Sequence, residues 1–249
     1  MKLLFFILIN IKAYSFTVNP IELYFTPDGT EATQSIKLSN PSKEPIAVQL
    51  KAFTRKHAPE GKEFRNPTTD FLIYPPQTIL KPGETKTARL TWLGRKASVK
   101  KEKGKEQIIR TKKITEELPY RLKVTQLPVE VKKKKTPQKT GVKMIYQYVA
   151  SLYVRERSFK PELKIIGAKR IKDNLTELTI ANTGKQHTLL KYYTIKQKQN
   201  DKAIFKKIEN LSDKILTTNI LAGSKRKIKL TVNKNFPGGS SSFVLEKKK

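Results

Sequence analysis

Few residues in this chain could do chemistry, and they are poorly spaced for it. His57 and His187 are the only imidazoles, and cysteine is absent. Thiol nucleophiles, Cys-type zinc sites, iron–sulfur clusters and disulfide frameworks are therefore excluded, and two histidines are too few for a histidine metal cage. His57 sits in a polar run beside Lys56 and Pro59, and His187 in a turn after Gly184, so both read as surface loop residues rather than general bases. The acidic residues lack the spacing of a calcium loop. Gly223-Ser224-Lys225 has the look of a phosphate loop but lacks the first glycine at the required distance and opens no helical pattern, so it reads as a hairpin turn. No Gly-x-Ser-x-Gly elbow is present. The chain reads as a non-enzyme with no cofactor and no metal.

The informative chemistry is that of the backbone. In the segment 141–153, Val142, Met144, Tyr146, Tyr148, Ala150 and Leu152 alternate onto one face. The segment is longer than a typical strand of about five or six residues, and a basic run leads directly into it. Its first half reads as an edge strand with an alternating apolar face, which is a template for pairing with another chain. Strand addition to a partner follows naturally: backbone hydrogen bonds supply affinity and side chains fill pockets.

Charge offers a rival reading. Lys and Arg total 52 against 21 Asp and Glu in 249 residues, a formal charge of +31. Such a chain attracts any polyanion, with a steep salt dependence. Specific nucleic-acid readers add a recognition helix or aromatics interleaved with lysines, and neither pattern is visible. Much of the excess lies in two loops and the tail Glu246-Lys247-Lys248-Lys249, so it reads as a lysine bias and no nucleic-acid partner is expected.

The elements that position the 141–153 segment are strands. At the N-terminus Lys2 leads the apolar run Leu3–Ile11, followed by the small-x-small triplet Ala13-Tyr14-Ser15. This reads as a secretory signal peptide over residues 1–15, cleaved after Ser15. The run is too short for a permanent membrane helix, which needs roughly 20 apolar residues, so no membrane insertion is expected after cleavage. From Phe16 onward, short alternating runs such as 35–39, 46–53, 87–92 and 120–127 are broken by Asn40-Pro41, Pro75-Pro76 and Lys81-Pro82-Gly83. With 37% hydrophobic residues available for a core, this spacing predicts an all-β sandwich. Arg95–Lys113 and Lys132–Lys139 read as solvated, mobile loops. Residues 156–161 lack periodicity, contain Pro161 and read as an interdomain linker. The second half repeats the first: 35–40 resembles 177–182, and 79–91 resembles 220–231. Two tandem β-domains are expected, 16–155 and 162–249.

The text Phe25-Thr26-Pro27-Asp28-Gly29, Ile36-Lys37-Leu38-Ser39-Asn40-Pro41, Ile73-Tyr74-Pro75-Pro76, Leu80-Lys81-Pro82-Gly83-Glu84 with Arg89-Leu90, Leu118-Pro119-Tyr120-Arg121 with Gln126-Leu127-Pro128-Val129, and Leu152-Tyr153-Val154-Arg155 resembles, in order, the PapD-like periplasmic pilus chaperones of the chaperone–usher pathway. The Glu-Leu-Pro-Tyr-Arg-Leu text is nearer the archaic and alternative branch. The resemblance covers most of residues 16–155 and only loosely the second domain. It implies two immunoglobulin-like domains at an angle with a subunit-binding cleft between them. It also implies that the last strand of the first domain is lent to an incomplete pilus subunit until that subunit passes to an outer-membrane usher. By match to that strand, Val142, Met144 and Tyr146, with Tyr148, are the lent residues. Three such side chains buried at about 1.5–3 kcal/mol each give a sizeable driving force.

The sequence departs from the best-known members in two respects. Those anchor the subunit's C-terminal carboxylate with an Arg and a Lys, and Glu22 and Ser151 fall at these places. A carboxylate entering the cleft still needs a cation, and Arg89 is the substitute candidate. Glu117 and Arg155 match a domain-bridging ion pair, whose acidic third member is missing near Asn233–Asn235. The expected protein is an exported, periplasmic assembly chaperone with pilus subunits and an usher as partners, and a self-capping dimer of the empty chaperone remains open. The rivals are a basic β-domain that binds nucleic acid or an anionic surface polymer, and a structural protein that polymerises through the same edge.

Overall fold

The computed structural model describes residues 15–94, 97–102, 105–110, 113–128, 144–172, 174–199, 204–232 and 239–248. Most of the expected signal peptide, Val142, the Lys132–Lys139 run and residues 233–235 lie outside them. In chain order the first half forms β1 (Thr17–Asn19), β2 (Glu22–Phe25), β3 (Thr33–Ser39), β4 (Ile46–Thr54), β5 (Lys56–His57), β6 (Glu63–Phe64), β7 (Phe71–Tyr74), β8 (Gln77–Leu80), β9 (Thr85–Trp92), β10 (Ala97–Glu102), β11 (Lys105–Arg110), β12 (Leu118–Leu127) and β13 (Gln147–Val154). The second half forms β14 (Leu163–Lys172), β15 (Leu175–Asn182), β16 (Thr188–Leu189), β17 (Tyr193–Gln199), β18 (Ile204–Lys207), one short helix α1 (Asp213–Leu216), β19 (Asn219–Ile220), β20 (Lys225–Thr231) and β21 (Phe243–Lys247).

Strand periodicity builds the first sandwich. One sheet runs β1-β3-β9-β7 and the other β2-β13-β12-β4-β8. Side chains alternate across a strand, and here the inward set has even numbers: Ile36 and Leu38, Val48 and Leu50, Ala88 and Leu90, Leu122 and Val124, Leu152 and Val154 are all buried. In β4, β12 and β13 the odd-numbered residues therefore face away from this core, while β2 has the reverse parity, with Leu23 and Phe25 buried and Glu22 and Tyr24 outward. A second core, from Leu163 to Phe243, gathers Leu178, Ile180, Leu190, Ile195, Ile220 and Leu230. The protein is a two-domain β-sandwich.

The sequence repeat recurs at atomic level. Asn40 Nδ2 donates to the carbonyls of Glu44 and Leu80, and its Oδ1 accepts from Ser42 N. Asn182 Nδ2 donates to the carbonyls of Gln186 and Ile220, and its Oδ1 accepts from Gly184 N. Each Asn thus closes its own Asx turn and fastens it to the end of a distant strand. The turns that follow, at Gly83 (φ 71°) and Gly223 (φ 63°), both use the left-handed region. Gly223-Ser224 is accordingly a hairpin turn, as its sequence suggests.

One loop expectation needs correction. The Arg95–Lys113 stretch is not simply a loop, because β10 and β11 pair antiparallel within it. The register sets Lys101 opposite Glu106 and Glu102 opposite Lys105. The segment after Arg155 is pinned. Phe159 seats in the first core, while Lys185 N donates to Lys160 O and Thr183 N to Glu162 O. Gly184 lies between these bonds. A Cβ there would stand 2.3 Å from Glu162 N and 2.5 Å from Lys160 O, so only glycine fits.

Candidate functional site

β13 has two different halves. Ser151–Val154 is flanked on both sides, by β12 and by β2, which pairs parallel with Ser151↔Glu22 through Val154↔Phe25. Gln147–Ala150 pairs with β12 alone among the described residues. The chain leading into this open half carries Met144 at 58% and Ile145 at 53% exposure. Tyr146 and Tyr148 fall on the same face as Met144 but rest partly on the domain's own core. Tyr148 meets Phe16 edge to face at 4.8 Å, and its hydroxyl lies 2.9 Å from Ser15 Oγ. Of the sequence-derived apolar set within the described residues, Met144 is the freely exposed member.

The outward face of the same sheet carries the polar site. The Ser151↔Glu22 register puts the two anchor-equivalent positions side by side, and Arg121 reaches them from β12, where it pairs with Ser151. Arg121 Nη1 donates to Ser151 Oγ at 2.5 Å, while Nε and Nη2 donate to Glu63 Oε1 and Oε2 at 3.0 and 2.8 Å. Three of its five N–H groups are thus engaged, leaving one on each terminal nitrogen. Arg89, the cation expected from sequence, is elsewhere. It pairs with Ser35 and Tyr74 on the exposed face of the four-stranded sheet, across the core from Ser151. Strand position decides this: Arg89 lies in the opposite sheet, so its side chain points away from Ser151 and Glu22.

Glu63, on β6, gathers cations. Besides Arg121 it accepts from Arg55 Nε at 2.9 Å and Arg65 Nε at 2.5 Å, and it meets His57 Nε2 at 3.0 Å. Burial alone would raise its carboxyl, but the bonds from His57, Arg121 and Arg65 and the charge of Arg55 outweigh this and hold it far below the usual range. His57 is not a surface residue: its side chain is 4% exposed. Burial pushes its imidazole down against the Glu63 bond, and the charges of Arg55 and Arg226 push the same way. Together these favour the neutral imidazole, whose Nε2 faces the Glu63 carboxylate.

The two domains meet around Tyr153. It is odd-numbered yet 1% exposed, because the second domain covers it. Its hydroxyl accepts from Arg55 Nη1 and Asn219 Nδ2, both at 2.8 Å. Its ring stacks on His187 at 3.8 Å. His187 is likewise buried rather than a surface turn residue. Its backbone N and Nδ1 reach Glu117 Oε1 at 3.0 and 2.5 Å. Glu117 Oε2 takes Arg155 Nη1 at 3.3 Å, and Arg155 lies 4.1 Å from the Tyr24 ring centroid. The expected Glu117–Arg155 pair is present. Its third partner among the described residues is a histidine of the second domain, with Glu22 Oε1 3.7 Å from Nε2. Burial lowers the His187 pKa, but the hydrogen bonds and charges of Glu117 and Glu22 outweigh it and raise the group above its ordinary 6.5.

A family model described as the N-terminal domain of PapD, a pili and flagellar-assembly chaperone, matches residues 16–158. The chain belongs to this chaperone family. No curated protein sequence matches it significantly. Among solved structures, the class 5 fimbriae chaperone CfaA is similar at 16% identity, with 94% of this chain and 99% of that one covered and a TM-score of 0.56. A chain of the Salmonella enterica SafA pilin–SafB chaperone complex matches at 14% identity over 95% and 97%, with a TM-score of 0.53. A chain of the CsuC–CsuE chaperone–tip adhesion subunit complex, from the archaic chaperone–usher Csu pili of Acinetobacter baumannii, matches at 18% identity over 86% and 89%, with a TM-score of 0.50. The protein is thus a pilus-assembly chaperone with the two-domain sandwich of its relatives. Sequence reasoning missed Glu63, His187 and Tyr153. Arg121 stood out only as part of the family-like text, and its place opposite Ser151 comes from the strand register.

Proposed function

We propose that this chaperone works in the periplasm. It captures secreted pilus subunits by lending them the edge that runs from Val142 through Met144 and Tyr146 to Tyr148 at its foot, then passes them to an outer-membrane usher. The observation that carries this reading is the half-open β13: Gln147–Ala150 has a neighbour on the β12 side alone among the described residues, and an exposed apolar approach leads into it. An incomplete sandwich that exposes its core is the partner such an edge fits. The complexes of CsuC with a tip adhesion subunit and of the SafB chaperone with a pilin support the same class of client.

Arg121 takes the anchoring role first assigned to Arg89. It stands beside Ser151 and Glu22 with two N–H groups left for the subunit's terminal carboxylate. Isolation of the tagged chain from the periplasm of its source cells, followed by mass spectrometry, tests the whole reading. A near-stoichiometric small β-protein with an alternating N-terminal extension is expected. Arg121→Ala should lower its yield about tenfold or more, the weight of a charge-assisted bond. Recovery of nucleic acid or assorted acidic proteins alone, lost on raising the salt, would overturn it.

A further inference from the structure

Glu63 stands where an acid is least expected, at the centre of a seat that is to receive a carboxylate. Arg55, Arg65, Arg121 and Arg226 surround it, and Glu63 is the acid that binds the first three of these. Glu63 and the neighbouring Glu22 are outnumbered by the four guanidinium groups, so the neighbourhood stays cationic and Glu63 does not cancel the field an incoming anion meets. Its effect is geometric. It grips Arg121 through Nε and Nη2 together, which fixes the plane of the guanidinium. The free N–H groups are those on the two terminal nitrogens, and Ser151 fixes one of these from the other side.

The residue that holds Arg121 is itself held. Glu63 lies on the β5–β6 hairpin, where His57 and Arg55 brace its Oε2. The tip of that hairpin is tied to the second domain: Lys227 N donates to Pro59 O at 2.8 Å, and Lys227 Nζ meets Glu60 at 3.2 Å. The direction in which Arg121 presents its free donors is therefore set by both domains.

We infer that Glu63 is a positioning residue, aiming Arg121 at the subunit's terminal carboxylate from a hairpin anchored on the second domain. This rests on the carboxylate reading above. The test follows arginine side-chain N–H signals in the full chain while N-acetylglycine, a mimic of a chain terminus, is titrated in. N-acetylglycinamide serves as the uncharged control, and Arg121→Lys assigns the signal. The Arg121 signal should respond to the acid and not to the amide, and Glu63→Gln should weaken that response about tenfold. Coulomb's law alone predicts the opposite sign, since removing a negative charge would tighten anion binding. Unchanged or tighter binding in Glu63→Gln overturns the inference and leaves the carboxylate reading standing. An Arg121 signal indifferent to N-acetylglycine in the unmodified chain overturns both. If Glu63→Gln does not fold, Glu63→Asp decides: it keeps the charge but shortens the reach, so weaker binding supports the positioning role and unchanged binding overturns it.

Discussion

Met144→Asp is expected to abolish subunit capture while the chaperone stays folded. Met144 is 58% exposed and precedes β13, so its loss opens no cavity in either core. In the complex its side chain would enter an apolar groove. Losing that burial forfeits about 1.5–3 kcal/mol, and placing an unpaired carboxylate there costs about 2 kcal/mol or more besides. The sum, near 4 kcal/mol, is roughly a thousandfold in affinity. Ile145→Asp is the matched control, because Ile145 is similarly exposed but lies on the opposite face of an extended chain. Co-purified subunit, measured against the unmodified chain, should vanish for Met144→Asp and largely persist for Ile145→Asp. Equal loss in both would show that parity is irrelevant, and equal retention would remove strand lending altogether.

Glu117→Ala should be the most destabilising single change at the domain joint. Glu117 is 2% exposed and receives Arg155 and both the backbone and the ring of His187. Removing the acid strands two cationic groups, a change that costs about 3–5 kcal/mol at buried sites. Denaturant unfolding measures it directly, and a loss below about 1 kcal/mol, the worth of an exposed pair, would mean water already reaches the joint. The pH dependence has a definite sign. His187 has a folded pKa raised above its ordinary 6.5. Its contribution is therefore fully present below 6.5 and is lost as pH rises through the raised value. The stability difference between the unmodified chain and His187→Gln should shrink across that window. A difference that grows with pH would mean the imidazole is neutral in the joint.

The parts of this protein that could be read in its sequence are those decided within a strand. The even-numbered apolar sets of β3, β4, β9, β12 and β13 follow from period-two alternation, and Asn40 and Asn182 mark the ends of matching strands. What escaped the sequence depends on segments far apart in the chain. His187 reads as a turn residue because the carboxylates that bury it, Glu117 and Glu22, belong to the other domain. Arg89 and Arg121 are both odd-numbered strand cations, and which of them faces the cleft depends on which sheet each strand joins. The β10–β11 hairpin was hidden because its lysine-rich sequence lacks the apolar alternation that signals a strand.

The twin Asn turns also bear on how the chain folds. Asn40 closes a loop of 40 residues onto Leu80, and Asn182 closes one of 38 onto Ile220. Loop-closure entropy grows only with the logarithm of length, so the two domains meet nearly equal closure costs, and neither must wait for the other. The joint is different, since Glu117 and His187 lie 70 residues apart and acquire their burial from both finished sandwiches. Two parallel folding events followed by docking are the expected order. Trp92, the single tryptophan, lies in the first core. Its fluorescence should therefore reach its native value before the His187 amide is protected from exchange.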